Sequence, residues 1–370
     1  VNFAFDDDQE ELRSTVRRFL EQHSAESDVR RQMAAAEGDD PKLWDLMSNQ
    51  LGLQAIAIPE QYGGAGFTFV ELGLVVEELG RALACTPFFS TAVLAGRLLL
   101  GLDDERAAPY LADIAAGAVR ATVALTEETG SWSPGQVAMR AAEVAGGYRL
   151  TGVKPYVPDG ATADLILVVA CAGDSLGVFA VGASEPGLIR TPTPTLDMTR
   201  KQARLVFDSV PARRLGGDAT TAIAAMLQQA AVALAAEQAG GAQRVLEMAV
   251  GYAGMREQFG RPIGSFQAIK HKCAQMLTEV ESMKSAAYYG LWCVSSGSPE
   301  LPVVASAAKV FCSEAYVHVT GENIQIHGGI GFTWDHPAHL YFKRAQSSKV
   351  LFGSPDHHRR ILSGLYGISA

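Results

Sequence analysis

Charge is scarce in this chain. Asp, Glu, Lys and Arg make up 19 % of its 370 residues, and the formal net charge is −9. That acidic balance argues against a general nucleic-acid binder or a protein that coats anionic membranes. It leaves room for an anionic small ligand, because a few local Arg and Lys side chains suffice to hold phosphates. Cysteine is scarce too. Cys85, Cys171, Cys273, Cys293 and Cys312 include no CxxC pair and are odd in number. They read as reduced, mostly buried thiols of a cytoplasmic protein. Metal-ligand spacing is missing: His336 and His339 are three apart and His357 and His358 adjacent, but no cysteine or carboxylate cluster completes a site. No metal is expected. No apolar run reaches the roughly 20 residues that span a bilayer. The alanine-rich stretch 221–236 comes nearest, and Gln228 and Gln229 interrupt it. The acidic start, Asp6-Asp7-Asp8, is unlike a secretion signal.

What the chain has in quantity is apolar material, 48 % of residues, enough for the cores of two or three domains. Three textures divide it. Residues 1–117 read as a helical domain, with apolar residues at helical spacing in 7–22 (Leu12, Val16, Phe19, Leu20) and 69–84, and a further helix over 43–50. Between them the glycine-rich stretch 59–66 reads as a tight turn rather than a phosphate loop. Residues 118–217 read as a β domain. Short runs at 121–125, 137–143, 148–156, 165–170, 176–181 and 205–207 are separated by Gly, Asp and Pro turns, as in a small antiparallel barrel or sandwich. Residues 218–370 are helical again, with candidate helices over 220–257, softly interrupted at Gly240-Gly241, and over 265–295, 301–326 and 335–351. The whole is an α+β chain.

Two motifs stand out. The first is Arg256-Glu257-Gln258-Phe259-Gly260-Arg261-Pro262-Ile263-Gly264-Ser265-Phe266-Gln267. The second, near the C-terminus, is Gln325-Ile326-His327-Gly328-Gly329-Ile330-Gly331-Phe332. A lone Arg is usually a solvated helix charge, and a lone Gly-Gly-x-Gly usually a helix stop. A guanidinium is a fixed fork that suits phosphate oxygens, and glycines let backbone N–H groups approach a phosphate. In this order, with a helical stretch between them, the motifs resemble the C-terminal half of the acyl-CoA dehydrogenase family. The α–β–α order extends the resemblance over nearly the whole chain. It implies a helical N-terminal domain, a β-barrel or sandwich middle domain and a helical-bundle C-terminal domain.

The resemblance also implies chemistry: α,β-dehydrogenation of an acyl-CoA thioester with FAD, in an oligomer whose FAD sites lie between subunits. Arg256 would meet the pyrophosphate of a neighbour's FAD. Phe259 would pack near the adenine end and Gln267 would hydrogen-bond there. Gln325, Gly328 and Gly329 would meet the pyrophosphate from the other motif. An electron-accepting flavoprotein would be a further partner.

The middle domain departs from the pattern. Thr126 and Glu127 of Leu125-Thr126-Glu127-Glu128-Thr129-Gly130-Ser131-Trp132 keep the family's first flavin loop, but its Pro and one small residue are missing. The second element reads Tyr156-Val157-Pro158-Asp159-Gly160. Tyr156 would cover a flavin face, whereas Pro158 has no hydroxyl or N–H to offer.

The base is missing from both positions the family uses. The glutamate after the last helix is replaced by Phe352 in Leu351-Phe352-Gly353-Ser354, and the alternative on the long helix falls on Ala230. Substitutes are Glu237, on the face of the helix that carries Ala230, and Asp356, in a loop four residues past Phe352. Asp335 is a weaker third. A Glu in the helical setting of Glu237 is more often a structural ion-pair partner. Two accounts follow from the resemblance. Either the chain is the base-lacking member of a heteromer, as in actinobacterial dehydrogenases of steroid side-chain CoA esters, or it is a homo-oligomeric enzyme with a relocated base, or with an oxidase or monooxygenase reaction on the same fold. A subunit that binds partners and no flavin is the remaining alternative.

Overall fold

The computed structural model of the chain describes residues 5–35, 38 and 40–368. The N-terminal helices are α1 (Asp7–His23), α2 (Glu26–Ala34), α3 (Pro41–Leu51), α4 (Phe69–Ala82), α5 (Gly96–Gly101) and α6 (Ala108–Ala115). Strands follow: β1 (Ala121–Ala124), β2 (Arg140–Val144), β3 (Gly147–Pro158), β4 (Leu165–Ala172), β5 (Ser175–Gly182), β6 (Leu188–Thr193) and β7 (Gln202–Leu215). The rest is α7 (Thr220–Met255), a small hairpin of β8 (Glu257–Gln258) and β9 (Arg261–Pro262), α8 (Gln267–Ser295), α9 (Leu301–His327), α10 (Ala338–Val350) and α11 (Pro355–Leu365). No described helix is long and apolar enough to cross a membrane. The chain forms two compact units. One takes in residues up to Val29, Phe69–Ala84 and the chain from Ala231 onward; the other holds Arg30–Thr68 and Cys85–Ala230.

In the second unit the strands close on themselves. β4 pairs antiparallel with β5 along eight residues, β5 with β7, β7 with β3, β3 with β2, and β2 returns to β4 through Arg140 and Cys171. β1 lies parallel to β4, and β6 joins β7. The ring makes a barrel rather than a sandwich. Its interior is filled by alternate residues, among them Leu150, Ile166, Val168, Phe179, Leu205, Phe207 and Val210. Each such side chain contributes about 1.5–3 kcal/mol on burial. Two strands differ from expectation. β6 was not expected at all, because its exposed positions and Pro192 leave no apolar run. β7 extends well beyond 205–207, since its pairing with β3 carries it through Pro211. In the turn before α4, a Cβ on Gly64 would stand 1.9 Å from the Ile58 carbonyl oxygen, so this glycine serves a close backbone approach.

The first unit is a helical bundle in which α8, α10 and α11 pack on α9, α4 on α8, and α1 on α4. α1 begins with a reciprocal capping box between Asp6 and Gln9. α7 runs unbroken through Gly240-Gly241. These glycines serve packing. A Cβ on Gly240 would lie 2.0 Å from the Glu77 carbonyl oxygen, and one on Gly80 would lie 2.2 Å from that of Glu237. The two helices thus approach through glycine on both sides. α11, absent from the expectation, starts at Ser354, whose hydroxyl accepts from the His357 N–H.

Candidate functional site

The first motif is built by the end of α7. Its last turn passes Tyr252 and stops at Met255, and the chain reverses in the β8–β9 hairpin. The two-residue tip is Phe259-Gly260, with φ of 55° and 75°. Both central residues of a two-residue hairpin take such values in a type I′ turn, where Asn-Gly is the relaxed choice. Phe259 therefore carries backbone strain, and its side chain is 92 % exposed. Phe266 supports the hairpin: the Arg261 guanidinium lies 4.2 Å from its ring centroid, and Phe259 meets its edge at 6.0 Å. The Ile263 N–H closes the loop on the Arg256 carbonyl at 2.7 Å. Arg256 is exposed, and so is Gln267, the first residue of α8.

The second motif is built by the end of α9. Gly328 turns the chain with φ 64° and ψ −144° into a short helical turn, Gly328–Phe332. The His327 ring stacks on Tyr252 at 4.3 Å, with 27° between planes. Tyr252 lies one turn before Arg256, and His327 two residues after Gln325. The stack therefore brings the two motifs together, although some seventy residues separate them in sequence. Burial pushes the His327 pKa down, and its Nδ1–H donates to the Asn323 carbonyl at 2.8 Å. The ring is thus a neutral stacking element.

The glycines here differ in what they serve. A Cβ on Gly331 would stand 2.8 Å from His327 Cβ, so packing within the chain demands it. A Cβ on Gly328 or Gly329 would meet nothing within 4 Å, and Gly329 has no left-handed φ. Among the described residues, no neighbour explains a glycine at 329. A guanidinium and two carboxamides, beside exposed glycines at 328 and 329 that let a phosphate approach the backbone, form a set suited to a pyrophosphate, so these residues fit that end of FAD.

In the barrel unit the loop carrying Thr126 and Glu127 is pinned by the Glu127 carboxylate. The Glu127 carboxylate accepts from the Met139 N–H at 2.8 Å, the Ala138 N–H at 3.0 Å and Lys154 Nζ at 2.9 Å. Lys154, fully buried, also donates to the Leu125 carbonyl at 3.0 Å. Burial works against both charges. It lowers the Lys154 pKa, while at Glu127 the Met139 amide and the Lys154 ammonium outweigh it and the net shift is down. The pair fixes the loop on which Thr126 sits buried. A register shift between Lys154 and Val157 turns Tyr156 outward, leaving it 41 % exposed. Pro158 offers only its carbonyl, which accepts from Thr122 at 2.6 Å.

The candidate bases are differently placed. Glu237 is buried, and its carboxylate accepts from Arg344 of α10 at 2.9 Å. Asp356 is not in a loop: the start of α11 places it in the first helical turn, exposed and paired with Arg359 at 3.0 Å. Asp335 is exposed. Phe352 is buried and holds φ at 58°, and Ala230 is fully buried. Beside Ala230 the structure adds a cation that sequence reading missed: Arg97 Nε donates to Gln229 at 2.7 Å. Its only sequence signal was a lone charge inside the apolar run 92–100.

Comparison with known proteins decides the family. Residues 6–118 match "Acyl-CoA dehydrogenase, N-terminal domain", and residues 219–364 match "Acyl-CoA dehydrogenase, C-terminal domain". A relative named acyl-CoA dehydrogenase IpdE2, from Mycolicibacterium smegmatis, is 36 % identical over 356 residues, covering 96 % of this chain and 98 % of the relative. The chain belongs to the acyl-CoA dehydrogenase family. Acyl-CoA dehydrogenases are oxidoreductases that act on CH–CH bonds. Among solved acyl-CoA dehydrogenases, the Tcur3481-Tcur3483 steroid enzyme is 31 % identical with a TM-score of 0.90, covering 98 % of each chain. The ChsE4-ChsE5 complex from Mycobacterium tuberculosis is 28 % identical with a TM-score of 0.91 over the full length of both chains.

Proposed function

We propose that this chain is one subunit of an FAD-dependent acyl-CoA dehydrogenase, and that it lends its C-terminal motifs to an FAD held jointly with a neighbouring subunit. Arg256, Gln325, Gly328 and Gly329 hold the pyrophosphate; Phe259 and Gln267 hold the adenine end. The observation that carries this reading is the Tyr252–His327 stack, which joins the two motifs beside a glycine that no described neighbour requires. Thr126 and Tyr156 are this chain's own contribution to a flavin ring. Bound FAD supplies the hydride acceptor for oxidation of the Cα–Cβ bond.

The neighbour is a paralogue that carries the base. Neither Glu237, engaged in a buried ion pair, nor Asp356, solvated and paired, has the desolvated, available carboxylate that abstraction of an α-proton needs. The heteromeric names of similar structures support the pairing, and the word "steroid" in one supports a CoA ester of a steroid-derived acid as substrate. An electron-transferring flavoprotein, named in another similar structure, is the proposed electron acceptor. The segments 1–117, 118–217 and 218–370 act as helical, β and helical domains, and five free thiols support a cytoplasmic location.

Visible spectra test the reading. The chain purified alone is expected to be colourless or weakly yellow and to gain stoichiometric FAD when co-expressed with the paralogue, sedimenting as a dimer or tetramer. Arg256→Ala in that complex removes a charge-assisted contact worth about 1.5–3 kcal/mol, or roughly 10- to 150-fold in FAD affinity. A complex that retains FAD as tightly after this change refutes the half-site. A flavin-loaded homo-oligomer that an acyl-CoA bleaches refutes the heteromer.

A further inference from the structure

The helical unit holds a cavity of about 270 Å³ at the end of α4, walled also by α1, the start of α2, α7 and α10. Apolar cavities of about 150 Å³ already take up benzene. Leu83, Met248 and Leu340 give this one an apolar wall, and three arginines line it as well. The arginines are not equal. Arg17 spends its fork on the buried Glu78 carboxylate, with Nε at 2.9 Å and Nη2 at 2.6 Å. Arg81 does the same with Glu247, at 2.9 and 2.6 Å, and Gln243 Nε2 donates to that carboxylate at 2.9 Å. Three donors already satisfy Glu247, and Arg244 Nη1 stands off at 3.7 Å, beyond hydrogen-bond reach. Arg244 thus keeps N–H donors at the cavity, with its side chain 46 % exposed. Beside it the Tyr341 hydroxyl donates to the Arg81 carbonyl at 2.6 Å. Burial raises that phenol to about 12 against the pull of Arg244 and Arg81, so it brings no negative charge. The remaining carboxylates at the cavity, Glu21 and Glu26, are exposed to water.

Leu83 is a second and independent sign. α4 ends in a Schellman turn: the Leu83 N–H donates to the Gly80 carbonyl at 3.3 Å and the Ala84 N–H to the Leu79 carbonyl at 3.0 Å. The left-handed position of that turn is held by Leu83, at φ 50°, where glycine is the relaxed choice. Backbone strain of this kind collects at ligand clamps, and here it keeps an isobutyl group on the cavity wall.

We propose that this cavity binds a monocarboxylate with a compact apolar body, of about the size of octanoate. Arg244 meets the carboxylate, and Leu83, Met248 and Leu340 cover the chain. Arg244, Met248 and Tyr252 follow one another at intervals of four residues, so the occupant touches the stripe of α7 that ends in the Tyr252–His327 stack. The site stands on its own side chains and does not depend on where FAD binds.

Isothermal titration calorimetry on the purified full chain in its native assembly tests the site. Octanoate is expected to bind once per chain and saturably, and saturating octanoyl-CoA is expected to leave that binding unchanged. Octanamide lacks the charge and acetate lacks the body; each is expected to bind at least about tenfold more weakly. Arg244→Met removes a charge-assisted contact and is expected to weaken octanoate about 10- to 150-fold while leaving octanamide unchanged. Arg244→Gln serves in its place if that variant does not fold. Met248→Trp fills the cavity and is expected to abolish binding. Deuterium exchange is expected to slow in residues 20–29 and 79–84 when octanoate is added to the parent, and not in Met248→Trp. Absence of saturable octanoate binding overturns the proposal. So does displacement by octanoyl-CoA, which places the acid in an acyl site, and so does binding that survives both Arg244→Met and Met248→Trp. Equal binding of octanamide and octanoate overturns the role of Arg244.

Discussion

The Glu237–Arg344 pair decides whether α7 carries a base or a structural strut. The two side chains are 6 % and 4 % exposed, and 2.9 Å separates nitrogen from oxygen. Arg344→Met leaves a buried carboxylate without that guanidinium. Breaking a buried pair in this way costs about 3–5 kcal/mol, whereas replacing both charges is often close to neutral. For a unit of about 150–250 residues, each kcal/mol lowers Tm by roughly 2–4 °C. Arg344→Met should therefore lower Tm by about 6–20 °C, and Glu237→Gln/Arg344→Met should recover most of that loss. Differential scanning calorimetry on the four proteins of the double-mutant cycle measures the coupling. If Arg344→Met melts with the parent, the pair is no strut. If Glu237→Gln alone abolishes acyl-CoA-dependent flavin reduction in the assembled enzyme while Tm is kept, Glu237 is a base and the reasoning fails.

Glu77 gives stability a pH dependence. It is buried between Tyr288, Arg13, Glu78 and Lys284, and desolvation raises its pKa to about 7 despite Arg13. A carboxyl raised in the folded state stabilises fully below its unfolded pKa, and that contribution is lost as pH rises through about 7. Glu77→Gln should therefore matter little at pH 5 and stabilise by up to about 3 kcal/mol at pH 8, read from urea melts. Equal effects at both pH values count against it. Gly240→Ala puts a Cβ 2.0 Å from the Glu77 carbonyl oxygen and should cost about 1–3 kcal/mol despite alanine's better helix propensity. A stabilised variant in thermal melts would show that α4 and α7 can part freely.

The two strings of the proposed FAD half-site were legible as motifs because each is short and has unusual glycines. The geometry that joins them was not legible, since Tyr252 and His327 carry no joint signal in one sequence. The same limit hid the partner of Glu237, which lies 107 residues away. It also hid the hold of Lys154 on Glu127, where a lysine inside a strand reads as a solvated face. Helices α4, α7, α8 and α9 were readable from apolar periodicity. α11 was missed because Asp, His, Arg and Ser fill six of its eleven residues, and its signal is a cap at Ser354 rather than an apolar stripe. β6 was missed because an exposed strand lacks the burial that gives strands their pattern.

β6 also has a bearing on aggregation. Closure of the barrel hides the hydrogen-bonding edges of most strands, but β6 pairs only with β7 among the described residues. It carries Ile189, 58 % exposed, so it is the natural template for another chain's strand. Pro192 removes one N–H from that edge, and Arg190 adds a charge that a second copy would also present. Self-association by strand addition is thereby disfavoured, and exposed aromatics such as Phe259 and Phe332 are left as the apolar surface through which the lone subunit would associate.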